Sequence, residues 1–188
     1  MGVSGEPWTS AAPEAVGRQL IQVPVAVLAV LSQNDLASAR TLFKDNPSLT
    51  PYIASTECSG VWARRAAQIR ARAGDAVWVT RLVVAAAVDG PVSVVGRAGF
   101  HGPPDEERGM VEVRYGIDPA CRRRGHARAA LRVLLDVARA DPRVKVVRVT
   151  IQPDNSASMG VLRGYGFEKV GEQWDDEDGL ETILEVAV

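Results

Sequence analysis

Between positions 111 and 151 the hydrophobic period changes twice, and this constrains the fold more than any other feature of the chain. Val111, Val113, Tyr115 and Ile117 alternate with Glu112, Arg114 and Gly116, the period of a half-buried strand. From 127 to 140 the spacing lengthens. Ala127, Leu131, Leu134, Leu135 and Ala138 share one helical face, Arg128, Arg132, Asp136 and Arg139 take the other, and Asp141-Pro142 ends the run. Residues 144–151 return to a strand pattern. Strand, helix and strand in that order form a right-handed crossover, so the strands at Val111 and Val144 are expected to be parallel neighbours.

The chain around this unit supplies antiparallel strands and short helices. Residues 24–43 predict one or two short helices, with Asn34 or Asp35 as N-cap of the second. A clearer helix follows Ser59, with Trp62, Ala66, Ile69 and Ala73 on one face and Gly74 in the C′ position. Its Arg64, Arg65, Gln68, Arg70 and Arg72 are expected to form a solvated face. Residues 76–88 and 92–100 predict a hairpin about Asp89-Gly90, and 111–117 a third strand. Asn155 can cap a short helix running to about Tyr165, and 167–174 with 181–188 form a last hairpin around the acidic turn 175–179. Residues 1–17, rich in Gly, Ser, Pro and Ala, are expected as a flexible arm, and 18–188 as one domain.

Composition removes several function classes. Lys and Arg number 22 against 23 Asp and Glu, so no general basic excess exists to hold a nucleic acid. Cys58 and Cys121 are far apart and lack metal-ligand spacing, which predicts neither a disulfide framework nor a zinc site and suits a reducing cytoplasm. The apolar stretch 20–31 is too short to span a membrane and contains Pro24. The opening Met-Gly lacks the Ser or Thr of a myristoylation signal, because position six is Glu6.

Against that near-zero charge, Arg122, Arg123 and Arg124 stand together at the junction of a strand and a helix. The first N–H groups of a helix have no intrahelical partner, and the macrodipole places partial positive charge there. Gly125 lets the backbone approach a phosphate closely, and Ala127 keeps the first turn small. The junction is therefore an anion-binding loop.

Arg122-Arg-Arg-Gly125-His-Ala127 resembles the RxxGx(G/A) loop of the GNAT superfamily of acetyl-CoA-dependent N-acetyltransferases. The preceding VEVRYGIDP and the later PDNSASMGVLRGYGF resemble that family's other two signatures, in detail closest to the branch of ribosomal-protein N-terminal acetyltransferases. The resemblance implies an α/β fold of the α+β type, with a mixed sheet of about seven strands splayed into a V and flanked by about four helices. It further implies a cytoplasmic enzyme that uses acetyl-CoA and no metal. The acceptor would be a primary amine, on a peptide N-terminus or a small molecule, attacking directly. Backbone at Tyr115, Gly116 and Ile117 would pair with the pantetheine, the pyrophosphate would rest on the N–H groups of Arg122, Arg123, Arg124, Gly125, His126 and Ala127, and Asn155 would touch the pantetheine arm.

For the chemistry, Glu112 is the expected base, acting through water, with His101 as alternative. The position where many members carry a thiolate-protonating Tyr is Leu162. Ser158 is the better candidate for a hydroxyl near the sulfur, and Tyr165 sits where packing is usual. Trp174 and residues 175–178 would border the acceptor channel, where carboxylates would attract a cationic amine. The missing Tyr keeps a catalytically silent acyl-CoA sensor as the rival reading, and pairing of the last hairpin across a homodimer stays open.

Overall fold

The structure, a computed structural model, describes residues 3–43, 48–87, 90–176 and 179–188. Its first strand, β1 (Arg18–Ile21), is followed by α1 (Val25–Leu31), α2 (Leu36–Leu42) and α3 (Thr56–Ala71). Then come β2 (Arg81–Ala87), β3 (Gly90–Phe100) and β4 (Met110–Ile117). The crossover helix α4 (His126–Ala140) leads to β5 (Val146–Ile151), α5 (Ser156–Leu162), β6 (Glu168–Asp175) and β7 (Gly179–Ala187). The sheet order is β1-β2-β3-β4-β5-β7-β6, and β4 with β5 is its parallel pair. The seven-stranded mixed sheet and the crossover match the sequence expectation, with five α-helices among the described residues rather than about four.

Strand alternation divides the interior into two cores. Val83, Val95, Val111, Val113 and Val147 face one side, where the leucines of α4 cover them. Leu82, Val84 and Val94 face the other, under α1 and α3 with Trp62 at the centre. Leu131, Leu134 and Leu135 of α4 are wholly buried, each worth about 1.5–3 kcal/mol against an exposed position. The helices α1–α3 lie against β1–β3, while on the same face β4, β5 and β7 carry polar groups: Glu112, Arg148, Thr150, Glu181 and Glu185. These pair among themselves, Arg108 and Arg148 both binding Glu185.

Several sequence-derived boundaries move. β1 went unplaced because four residues are too few for a period. Helix α3 begins at Thr56 with Ser55 as N-cap, so Ser59 lies inside it and bonds back to the Thr56 carbonyl at 3.1 Å. Gly74 is not its C′ residue, since the helix stops at Ala71 and a 3-10 turn, Ala73–Val77, delays β2 to Arg81. Asp35 rather than Asn34 caps α2, accepting from the Ser38 N–H at 2.9 Å. Met1, Gly2, Asp89 of the first hairpin turn, and Glu177 and Asp178 of the second lie outside the described residues.

The segment expected as a flexible arm has definite contacts. Trp8 is buried, exchanges both backbone hydrogen bonds with Leu20 at 2.9 Å, and sets its ring 5.5 Å from that of Phe100. The guanidinium of Arg81, with no exposed surface, stacks 3.6 Å over Trp8 and donates to the carbonyls of Ser4 and Glu6 at 2.6 and 2.7 Å. No described helix is long and apolar enough to cross a membrane.

Candidate active site

The site begins where two parallel strands part. β4 pairs with β5 through Met110, Val111 and Glu112 only, yet it pairs with β3 as far as Ile117. Beyond Glu112 the edge of β4 that faced β5 opens, which is the expected V. Glycine at 96 lets β3 hold β4 closely there: a Cβ on Gly96 would lie 2.3 Å from the Gly116 carbonyl oxygen and 2.9 Å from the Ile117 Cα.

A cleft of about 630 Å³ occupies the opening, lined by Tyr115, Gly116, Ile117, Arg122, Arg123, Gly125, His126, Ala127, Asn155 and Ser158 among others. Nine of the ten expected cofactor residues therefore meet in one cavity. The tenth, Arg124, is not in its lining, and its carbonyl accepts from Arg18 at 3.4 Å. Asp118 shapes the loop, its carboxylate accepting from the Ala120 N–H at 2.9 Å, and Arg122 folds back to donate to the Ile117 carbonyl at 3.1 Å. Gly125 caps α4 at φ 79°, and Arg123 also takes a positive φ, 60°. By helix geometry the N–H groups of His126, Ala127 and Arg128 have no intrahelical acceptor. The imidazole of His126 is buried with Nδ1 unpartnered among the described residues, and burial, then Arg18 and Arg124, depress its pKa. A Cβ at Gly125 would meet nothing within 4 Å, so the loop leaves open space where an anion would rest. This fits a phosphate group.

Across the cleft, Asn155 caps α5, its carboxamide oxygen accepting from the Ser158 N–H at 3.0 Å. The Tyr115 hydroxyl donates to the Ser158 carbonyl at 3.4 Å, and burial pushes its pKa up to about 12. Leu162 is buried in the core, and Tyr165 bonds Glu14 at 3.2 Å under the Arg128 guanidinium, so the latter is engaged in packing.

Glu112 does not line this cleft. It points to the opposite side of β4, where Thr150 donates to Oε1 at 2.9 Å and His101 Nδ1 stands 3.8 Å from Oε2, too far for a hydrogen bond. Burial raises the Glu112 pKa, against the Thr150 bond and Arg114. His101 is held neutral, its pKa lowered to about 3 by burial and then by Arg65, Arg114 and Arg64. Beside it lies a second cavity of about 410 Å³, lined by Val61, Arg64, Arg65, Thr80, Arg97, His101, Arg114, Asp175 and Asp176. Arg97 belongs to both cavities, which marks where they approach each other.

Sequence reasoning missed this arginine group: it assigned Arg64 and Arg65 to a solvated face, and Arg64 is indeed exposed at the cavity, whereas Arg65 is half-buried in its wall. The register explains part of the omission. Arg97 pairs with Gly116 and Arg114 with Gly99, which puts both arginines on the face that carries Glu112. Asp175 and Asp176 do line the second cavity as a rim, while Trp174 is three-quarters exposed and outside its lining.

A family model described as "Acetyltransferase (GNAT) domain" matches residues 27–168, more than half of the chain. The chain belongs to the GNAT acetyltransferase family. This family takes its acetyl group from acetyl-CoA. N-alpha-acetyltransferase RimI of Mycobacterium tuberculosis is 43% identical over 56 residues, 30% of this chain, and the chain spans only 33% of that relative's length. The structure of Mycobacterium smegmatis RimJ in complex with CoA-disulfide aligns over 97% of this chain and 86% of that one, at 20% identity and a TM-score of 0.62. That of the microcin C7 self-immunity acetyltransferase MccE, in complex with acetyl-CoA and AMP, aligns over 95% and 99%, at 12% identity and a TM-score of 0.61. At these identities the structural matches speak for the GNAT fold. Among the described residues no group of three His, Cys, Asp or Glu could hold a metal ion.

Proposed function

We propose that the protein transfers acetyl from acetyl-CoA to a primary amine by direct attack. The observation that carries this is the coincidence of the parted β4 edge and the open α4 N-terminus in one cleft, with the second cavity on the far side of β4. The Tyr115, Gly116 and Ile117 backbone aligns the pantetheine, Asn155 lies along it, and the loop from Arg122 to Ala127 holds the pyrophosphate. Acetyl-CoA supplies the thioester, which is the reactive group.

The amine enters from the second cavity. Its nitrogen forms the new bond to the acetyl carbon while the carbon–sulfur bond breaks. Glu112 takes the amine proton through water, its raised pKa making it a stronger base than a solvated carboxylate. The leaving thiolate receives a proton from the Ser158 hydroxyl or from water. No residue needs to form a covalent link to the acetyl group, since orientation and proton removal account for most of what the reaction requires.

Thermal melts with acetyl-CoA and with free CoA, followed by turnover assays on peptides and small amines, test this. A saturable shift together with transfer is expected. A shift with no transfer to any amine would favour a silent sensor, and no shift at millimolar acetyl-CoA would overturn the cofactor assignment.

A further inference from the structure

Two guanidiniums in the wall of the second cavity, those of Arg65 and Arg97, are held by neutral acceptors. Arg65 donates to the Thr80 hydroxyl at 3.3 Å, the Gln68 side-chain carbonyl at 2.7 Å and the His101 backbone carbonyl at 3.0 Å, all neutral acceptors. Arg97 donates to the Cys58 sulfur at 3.4 Å, also neutral. Among the described residues neither guanidinium has a carboxylate within ion-pair distance. Of the nearby acids, Glu181 accepts from Arg114 at 3.4 Å and from Gln173 at 3.0 Å, Glu112 accepts from Thr150, and Asp175 and Asp176 line the same cavity where β6 ends.

Burial first, and like charge second, act on two groups in the wall. Burial depresses the Arg65 pKa to about 10, and Arg64, Arg114 and Arg97 add to the effect, with Glu112 opposing. His101 responds to the same arginines. A partly buried cation without a counter-charge is costly, and a fold retains such an arrangement readily when a ligand supplies the anion.

We infer that the second cavity seats an anionic group of the acceptor, a carboxylate or phosphate beside the reacting amine, on Arg65 and Arg97 with Arg64 and Arg114 at its flanks. This deepens the transfer reading above and rests on it. Planar guanidinium forks match both oxyanions. The cavity volume of about 410 Å³ admits a group the size of one or two side chains, and Arg97 places that group next to the cofactor cleft. The acceptor therefore presents its amine to the parted strands with an acid behind it. Asp175 and Asp176 at the rim then act on the outer part of the acceptor, and the expectation that acid alone draws in a cationic amine is replaced by a zoned cavity.

The test compares kcat/KM for short peptides with a common N-terminal residue followed by two Asp, two Ser or two Lys, together with 2-aminoethyl phosphate and its uncharged analogue 2-methoxyethylamine. The acidic peptide is expected to exceed the lysine peptide about tenfold or more, the effect of one charge-assisted hydrogen bond, with the margin shrinking as salt rises. Preference for the aminophosphate over its analogue without a peptide preference would assign the seat to phosphate; the reverse would assign it to carboxylate. Arg65→Gln should abolish the preference and Arg65→Lys, which keeps the charge but not the planar fork, should keep only part of it, while the acetyl-CoA melt shift stays unchanged in both. If Arg65→Gln does not fold, Arg64→Gln, at an exposed position, should still reduce it.

Transfer to acidic, neutral and basic amines at equal rates, or faster transfer to basic ones, would overturn the anion seat and leave the transferase reading standing. An intact acetyl-CoA shift with transfer to none of them would overturn both. The loss of the shift itself would instead locate the failure in the cofactor cleft.

Discussion

Substitution of Gly125 by valine separates the loop's backbone role from its binding role. Gly125 sits at φ 79° and ψ 0°, where an L-residue costs about 1–2 kcal/mol. An added Cβ meets no atom within 4 Å, so that backbone term is nearly the whole cost to the fold. For a chain of this size it lowers Tm by about 2–8 °C. The same empty space is where the pyrophosphate is proposed to rest, and the valine side chain fills it. Losing one charge-assisted hydrogen bond to phosphate costs about 1.5–3 kcal/mol, which raises Kd by roughly ten- to a hundredfold. Melts across an acetyl-CoA titration read both effects. At a concentration of about 100 times its Kd the unsubstituted protein gains about 2.7 kcal/mol, whereas the variant at that concentration would gain about 0.4–1.4 kcal/mol. Gly125→Ala carries the same backbone cost with a smaller obstruction and should fall between them. A cooperatively folded Gly125→Val protein with unchanged Kd would refute the reasoning.

Three further outcomes are expected. Glu112→Gln should lower kcat/KM sharply at neutral pH and much less at high pH, where the amine loses its proton unaided; a ratio to wild type that is flat across the pH profile would remove Glu112 as the base. Trp8→Ala should destabilise the fold by about 3–5 kcal/mol in denaturant titration, because the ring fills the space between Phe100 and the buried Arg81 guanidinium; a loss below about 1 kcal/mol would return residues 3–17 to the status of a loose arm. His101, neutral in the fold down to about pH 3 but protonated below about pH 6.5 when unfolded, favours unfolding as pH falls through that window. With a third of the ring open to solvent, the loss should be no more than about 1 kcal/mol between pH 7 and 5.5, and His101→Gln should blunt it.

What the sequence made legible and what it hid divide along the distance over which each signal acts. The crossover from β4 through α4 to β5 rests on local periods, and each of its elements appears within two residues of the expected start. The loop from Arg122 to Ala127 that lines the first cavity was equally legible because helix-terminus chemistry is local: the glycine, the free N–H groups and the arginines are consecutive. The second cavity draws Arg64 and Arg65 from α3, Arg97 from β3 and Arg114 from β4, and no local period reports that these four converge. On α3 the arginines flank the apolar stripe of Trp62, Ala66 and Ile69, so a helical wheel assigns them to solvent. That assignment assumes that everything beyond the stripe is water. Here the sheet continues past α3 as a polar face, and the flank of the helix overhangs it. A charge that looks solvated on one element becomes a cavity wall when the residues just before β2 and just after β3, Thr80 and His101, supply polar groups rather than an apolar surface. The same argument covers Trp8, whose isolated ring in a Gly- and Pro-rich segment carries no period and whose burial depends on Arg81, more than seventy residues away. The loop proposed to hold the cofactor could thus be read from a short stretch of chain, while the cavity proposed to take the acceptor, which depends on side chains assembled by the tertiary fold, could not.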